Sequence, residues 1–132
     1  MDKPKVLLVD DEADIIRSLT IRLRAAGYDV VAAMDAFQAT QTAMESQPDI
    51  IILDLGIPAG GGHMVIQRLQ GSSKTCSIPI IILSARCDAD NKALAKSEGA
   101  SIYITKPYKA DDVLAAIAEL IGPLAKPAGQ VG

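Results

Sequence analysis

Two rhythms of apolar and polar positions take turns along the chain. Short aliphatic or β-branched runs, Lys5 to Val9, Asp29 to Ala33, Ile50 to Leu53, Ile80 to Leu83 and Ile102 to Thr105, read as strands. Three of the runs are continuously aliphatic, which is the pattern of strands covered on both faces. Between the runs the period lengthens. "ADIIRSLTIRLRAAGY" sets Ile15, Ile16, Leu19 and Leu23 at helical spacing and meets a natural stop at Gly27. "ADDVLAAIAELIG" places Val113, Leu114, Ile117, Leu120 and Ile121 on one face, with Asp111 or Asp112 opening the helix and Gly122 closing it. "DADNKALAKSEGA" has acids at its start and Gly99 at its end, but Leu94 is its only large apolar residue. A helix with so little to bury is weakly anchored and readily moved.

Strand and helix alternate five times, so the pattern predicts βαβ units and a parallel, doubly wound α/β sheet as a buried central layer. At 132 residues, 49% hydrophobic and 22% charged, the chain fits one globular domain. That domain is expected over residues 1–122. The Pro-, Gly- and Ala-rich stretch 123–132 reads as a flexible tail or the start of a linker. A formal net charge of -3 argues against a general electrostatic grip on nucleic acid or an anionic membrane. The first apolar run, Val6 to Val9, is too short for a signal peptide or a membrane span, so a cytoplasmic location is expected. Cys76 and Cys87 lack the spacing of a zinc or redox motif and read as buried free thiols.

The chemistry lies where the strands end. Asp10 and Asp11 follow the first strand, Asp54 the third, Ser84 the fourth and Lys106 the fifth. Open parallel sheets bind ligands beyond the carboxyl ends of their strands, so these residues are expected in one crevice. Three carboxylates within about 5 Å would repel by roughly 3 kcal/mol per pair at an effective dielectric near 20. A magnesium ion, which takes oxygen ligands and leaves room for a phosphate, would neutralise them, with Lys106 as a second, fixed cation. Asp54 is then placed to act as a nucleophile at phosphorus, and the Ser84 hydroxyl to donate to a phosphoryl oxygen. Each residue also has a plainer reading alone: acids favour a helix N-terminus, an aspartate after a strand serves a turn, and His63 suits the surface at the start of the third helix.

Taken together, "VLLVDDE", "DIIILDLGIP", "PIIILSA" and "YITKPY" resemble the receiver domain of two-component response regulators, from Lys5 to about Ile121. The resemblance implies a (βα)5, flavodoxin-like fold with strand order 2-1-3-4-5. It implies Asp54 as phosphoacceptor, Asp10 and Asp11 as the acidic pair for Mg2+, the Gly56 carbonyl completing the metal shell, Ser84 and Tyr103 as switch residues, Lys106 as the site lysine, and a cis Lys106–Pro107 bond. It further implies a histidine kinase or phosphotransfer protein as donor and an effector protein or fused output domain as reader. It implies no direct nucleic acid binding and no enzymatic role beyond the domain's own phosphorylation and dephosphorylation. A homodimer is left open.

The sequence departs from that family at Gly56 and Arg86, positions that resemble those gating water, and at Gly60, Gly61 and Gly62, expected to form a partly ordered loop. Two rival readings share part of this pattern. A phosphatase with an aspartate nucleophile usually carries a second aspartate two residues on, where this chain has Gly56. An interaction domain without the chemistry would not need every one of these residues.

Overall fold

The computed structural model describes residues 3–57, 61–85 and 89–122. Ten elements alternate along the chain: β1 (Lys5–Val9), α1 (Ala13–Ala25), β2 (Asp29–Ala33), α2 (Ala36–Ser46), β3 (Ile50–Asp54), α3 (Gly61–Gln70), β4 (Ile80–Ser84), α4 (Ala89–Glu98), β5 (Ile102–Thr105) and α5 (Ala110–Ile121). The strands form one parallel sheet in the order β2-β1-β3-β4-β5. The expected elements are all present, with β3 and β4 each one residue longer, so that Asp54 and Ser84 close their strands rather than follow them.

Successive strand residues point to opposite faces, and that period sorts the core into two layers. Leu7, Val9, Ile51, Leu53, Ile80 and Ile82 pack against α2, α3 and α4 through Ala39, Ala43, Val65, Ile66, Leu69 and Ala95. Val6, Leu8, Ile50, Ile52, Ile81 and Leu83 pack against α1 and α5 through Leu19, Leu23, Val113, Ala116 and Ile117. β3 and β4 are buried along their whole length. Helices cover both faces, as the unbroken aliphatic runs require.

Local chemistry fixes the element ends. Asp35 accepts a hydrogen bond from the Gln38 N–H at 2.8 Å, capping α2. Asp112 accepts from the Lys109 N–H at 2.9 Å, closing the entry to α5. After α1, Gly27 takes a left-handed φ of 104°, which admits the turn into β2.

Two expectations need correction. Gly61 and Gly62 are not loop residues but the buried first turn of α3. A Cβ on Gly62 would lie 2.8 Å from the Leu55 Cα, and one on Gly61 3.1 Å from the Ala36 Cβ, so their bareness lets α3 sit close to α2 and to the chain leaving β3. Cys76 is exposed rather than buried, because it lies in the connection before β4 and not in an element. Gly60, Arg86, Cys87 and the expected tail over 123–132 fall outside the described residues. No helix among the described residues is long and apolar enough to cross a membrane.

Candidate functional site

The same two-residue period that sorts the core also builds the site. Asp10 continues the set Val6 and Leu8, Asp54 continues Ile50 and Ile52, and Lys106 continues Ile102 and Ile104, all toward the α1 and α5 side. Ser84 continues Ile80 and Ile82 toward the α4 side, where Tyr103 also packs. Register aligns the ends: Val9 pairs with Leu53, Asp54 with Leu83, and Ser84 with Thr105. Beyond the ladder, the Asp10 N–H donates to the Ala33 carbonyl at 3.1 Å and the Lys106 N–H to the Ser84 carbonyl at 2.7 Å. The Lys106–Pro107 peptide is cis.

Ligand-capable oxygens of Asp10, Asp11 and Asp54 lie within 4.8 Å of one another. Asp10 and Asp54 are buried and Asp11 is exposed. The Asp54 carboxylate is held at both oxygens: Oδ1 accepts from the Gly56 N–H at 2.8 Å, and Oδ2 from Lys106 Nζ at 3.0 Å. Asp10 Oδ1 accepts from the Glu12 N–H at 2.9 Å. Asp10 Oδ2 is buried with no hydrogen-bond partner, which no other side-chain atom shares among the described residues. Buried Thr75, by contrast, donates its hydroxyl to the Leu69 carbonyl at 2.7 Å. An orphaned buried acceptor of this kind calls for an explanation.

Electrostatics give one. Burial pushes the Asp10 carboxyl up from 3.8 to about 6; the Glu12 N–H opposes the rise, the Asp54 charge adds to it and the Lys106 charge offsets part of it. Burial pulls the Lys106 ammonium down, but its hydrogen bond to Asp54 and the charges of Asp54 and Asp10 outweigh that and leave it above 10.5. Three hard oxygen donors, one of them from the residue whose buried Oδ2 is unsatisfied, with Lys106 beside them, fit a small divalent cation such as Mg2+.

On the α4 side, Ser84 is buried and Tyr103 half-buried. The Asn91 amide of α4 donates to the Tyr103 hydroxyl, and Lys92 Nζ lies 5.8 Å from the centre of its ring. The residues expected in one crevice are thus all at the carboxyl rim, divided between its two sides.

Sequence reasoning missed three features. The Gly56 and Glu12 N–H groups that hold the carboxylates are backbone donors, which carry no residue signature; only their place two residues after each aspartate hints at them. A Cβ on Gly56 would come within 3.2 Å of Asp54 Oδ1. Finally, His63 is not a free surface residue: its Nδ1 meets Glu98 Oε1 at the end of α4.

Comparison with known proteins agrees with this fold. The family model described as "response regulator receiver domain" matches residues 6–118. The chain is 43% identical over 110 residues to the transcriptional regulatory protein KdpE of Mycobacterium tuberculosis, covering 83% of this chain and 47% of that protein. It is 36% identical over 118 residues to the DNA-binding dual master transcriptional regulator RpaA of Synechocystis, covering 89% of this chain and 49% of that protein. The chain therefore spans about half the length of the curated relatives it matches. Among solved structures, the chemotaxis protein CheY4 of Vibrio cholerae superposes with a TM-score of 0.86 at 28% identity, covering 91% of this chain and 100% of that one.

Proposed function

The chain belongs to the response regulator receiver domain family, and from that premise together with the rim geometry we propose that Asp54 accepts a phosphoryl group from a histidine kinase or a histidine phosphotransfer protein. The observation that carries this reading is the pairing of a buried carboxylate with Lys106 Nζ at 3.0 Å, beside two further acids within 4.8 Å.

Asp54 is kept aimed by the Gly56 N–H and by Lys106, so its carboxylate meets phosphorus without first reorganising. An Asp54 oxygen forms the new O–P bond as the N–P bond of the donor breaks and the imidazole leaves with its electron pair. Lys106 offers a fixed positive charge to one phosphoryl oxygen and the Ser84 hydroxyl a hydrogen bond to another. Asp10, Asp11 and Asp54, with the Gly56 carbonyl, would hold Mg2+, which supplies the charge that neutralises the incoming phosphoryl oxygens. Hydrolysis of the acyl phosphate by water returns Asp54 to its carboxylate.

Modification at Asp54 draws Ser84 toward the phosphoryl group, frees space for Tyr103 and shifts the packing of α4 against β5. An effector protein, or an output domain in the same polypeptide, reads the changed surface. The test is labelling of the folded chain by acetyl phosphate. Labelling that needs Mg2+, stops with EDTA and is lost in Asp54→Asn is expected; undiminished labelling of Asp54→Asn would refute the assignment.

A further inference from the structure

α4 has little apolar anchorage: Ala95 is its one buried residue, and Leu94 is 49% exposed. Polar contacts hold it, and they differ at its two ends. At the C-terminal end the Glu98 carboxylate is gripped at both oxygens by α3. Oε1 meets His63 Nδ1, and Oε2 accepts from Gln67 Nε2 at 2.8 Å. The Glu98 side chain is only 11% exposed, so this is not a solvent-screened surface pair. One residue on, Gly99 has a φ of +124° and lies so near α3 that a Cβ would stand 2.6 Å from Gln70 Cδ. His63, Gln67 and Gln70 fall at i, i+4 and i+7, one stripe of α3 directed at the end of α4. At the N-terminal end, Asn91 and Lys92 contact Tyr103 of β5 instead.

We propose that Glu98 is a positioning residue that pins the last turn of α4 to α3, making it the pivot about which the first turns of α4 swing when Tyr103 moves. The pivot is a property of the resting protein, whereas the swing rests on the phosphoacceptor reading above. The grip is charge-assisted and doubly made, and it stays in place when the Asn91–Tyr103 contact is exchanged. α4 therefore moves as a lever with one fixed end, and α3 sets where that end lies.

Hydrogen exchange resolved along α4 in the full chain tests this. At rest, amides of Lys96, Ser97 and Glu98 should exchange more slowly than those of Ala93 and Leu94, although helix ends ordinarily fray first. Glu98→Ala should speed the last-turn amides by about tenfold or more, the equivalent of one charge-assisted hydrogen bond, and leave the β4 amides unchanged. Glu98→Gln, which keeps an acceptor for Gln67, should recover part of that protection. Adding His63→Ala to Glu98→Ala should change nothing further, since Glu98→Ala has already removed the contact that His63 makes.

With acetyl phosphate and Mg2+, exchange in the wild type should rise in the first turns alone; in Glu98→Ala it should rise along the whole helix. Last-turn amides that exchange as fast as the first turns at rest, or that ignore Glu98→Ala, would overturn the pivot. If Glu98→Ala fails to fold, Gln67→Ala, at an exposed α3 position, removes one of the two contacts and must raise last-turn exchange by a smaller factor. If Asp54 cannot be labelled, the phosphoacceptor reading fails, while the resting-state comparison still decides the pivot.

Discussion

Asp10→Asn should make the metal-free protein more stable, and by an amount that depends on pH. Asp10 is completely buried, its Oδ2 has no hydrogen-bond partner, and its ionisation moves from 3.8 to about 6. That move costs the ionised folded state about 3 kcal/mol, at 1.36 kcal/mol per pH unit. The sign follows from proton binding. Between pH 3.8 and about 6 the folded state holds more protons at Asp10 than the unfolded state does, so stability falls as pH rises through this window and stays reduced above it. Asparagine does not ionise there, yet its Oδ1 can still accept from the Glu12 N–H. The advantage of Asp10→Asn over the wild type should be near zero below pH 3.8 and reach about 3 kcal/mol above pH 6. In melting temperature this is roughly 10 °C for a domain of this size.

Urea denaturation in EDTA at pH 4 and pH 8 measures the offset directly. Added Mg2+ should narrow it at pH 8, because a ligand that binds only the folded state stabilises the wild type more than a variant lacking one of its carboxylates. A variant no more stable than the wild type at pH 8 without divalent cations would refute the reasoning. So would an offset that is the same at both pH values.

Other substitutions probe the surrounding packing and charge. Lys106→Met leaves Asp54 buried without its cation and should cost about 2–4 kcal/mol in urea denaturation. Because the Lys106 ammonium lies above its ordinary 10.5, the wild type should hold that contribution below this pH and lose it as pH rises through the higher folded value, while the variant stays flat. Gly62→Ala drives a methyl to 2.8 Å from the Leu55 Cα, which is backbone and cannot step aside, and should cost about 1–3 kcal/mol by thermal melting. Ile52→Ala empties a fully buried site in β3 and should cost about 2–5 kcal/mol, whereas Phe37→Ser, at 70% exposure, should stay within about 0.5 kcal/mol; similar costs for the two would contradict the two-layer core.

What the sequence displays is periodic, and what it hides is contact between distant elements. The runs at Ile50 and Ile80 announce buried parallel strands because helices on both faces demand apolar residues at every position. The same alternation places Asp10 and Asp54 on one side of the sheet, but only register brings them together, and register is set by strand pairing that no local window contains. Gly61 and Gly62 look like loop residues because glycine is the usual residue of loops; in α3 they serve close approach, a signal with the same letter and a different cause. The partner of His63 is 35 positions away, and nothing near His63 marks Glu98 as its acceptor. Backbone donors such as the Gly56 N–H are invisible in a sequence because every non-proline residue has one.

Asp10 is where local sequence consistency and stability part. A domain of this size retains about 5–15 kcal/mol of net stability, so a carboxylate costing about 3 kcal/mol at neutral pH removes a large share of it. Neighbouring choices all lower the energy of the fold: aliphatic strands, capped helices and glycines where backbones meet. Asparagine at position 10 would continue that trend, since it keeps the Glu12 contact and brings donors toward Asp54. Aspartate serves something other than the fold's own stability, because its second oxygen has no hydrogen-bond partner among the described residues. On the proposed phosphoacceptor reading, a cation shared with Asp11 and Asp54 would give that oxygen a use, convert mutual repulsion into common attraction and prepare the rim for a phosphoryl group. On that reading the carboxylate that weakens the cation-free domain is the one that would hold its ligand, and the pH-dependent gain of Asp10→Asn measures that exchange.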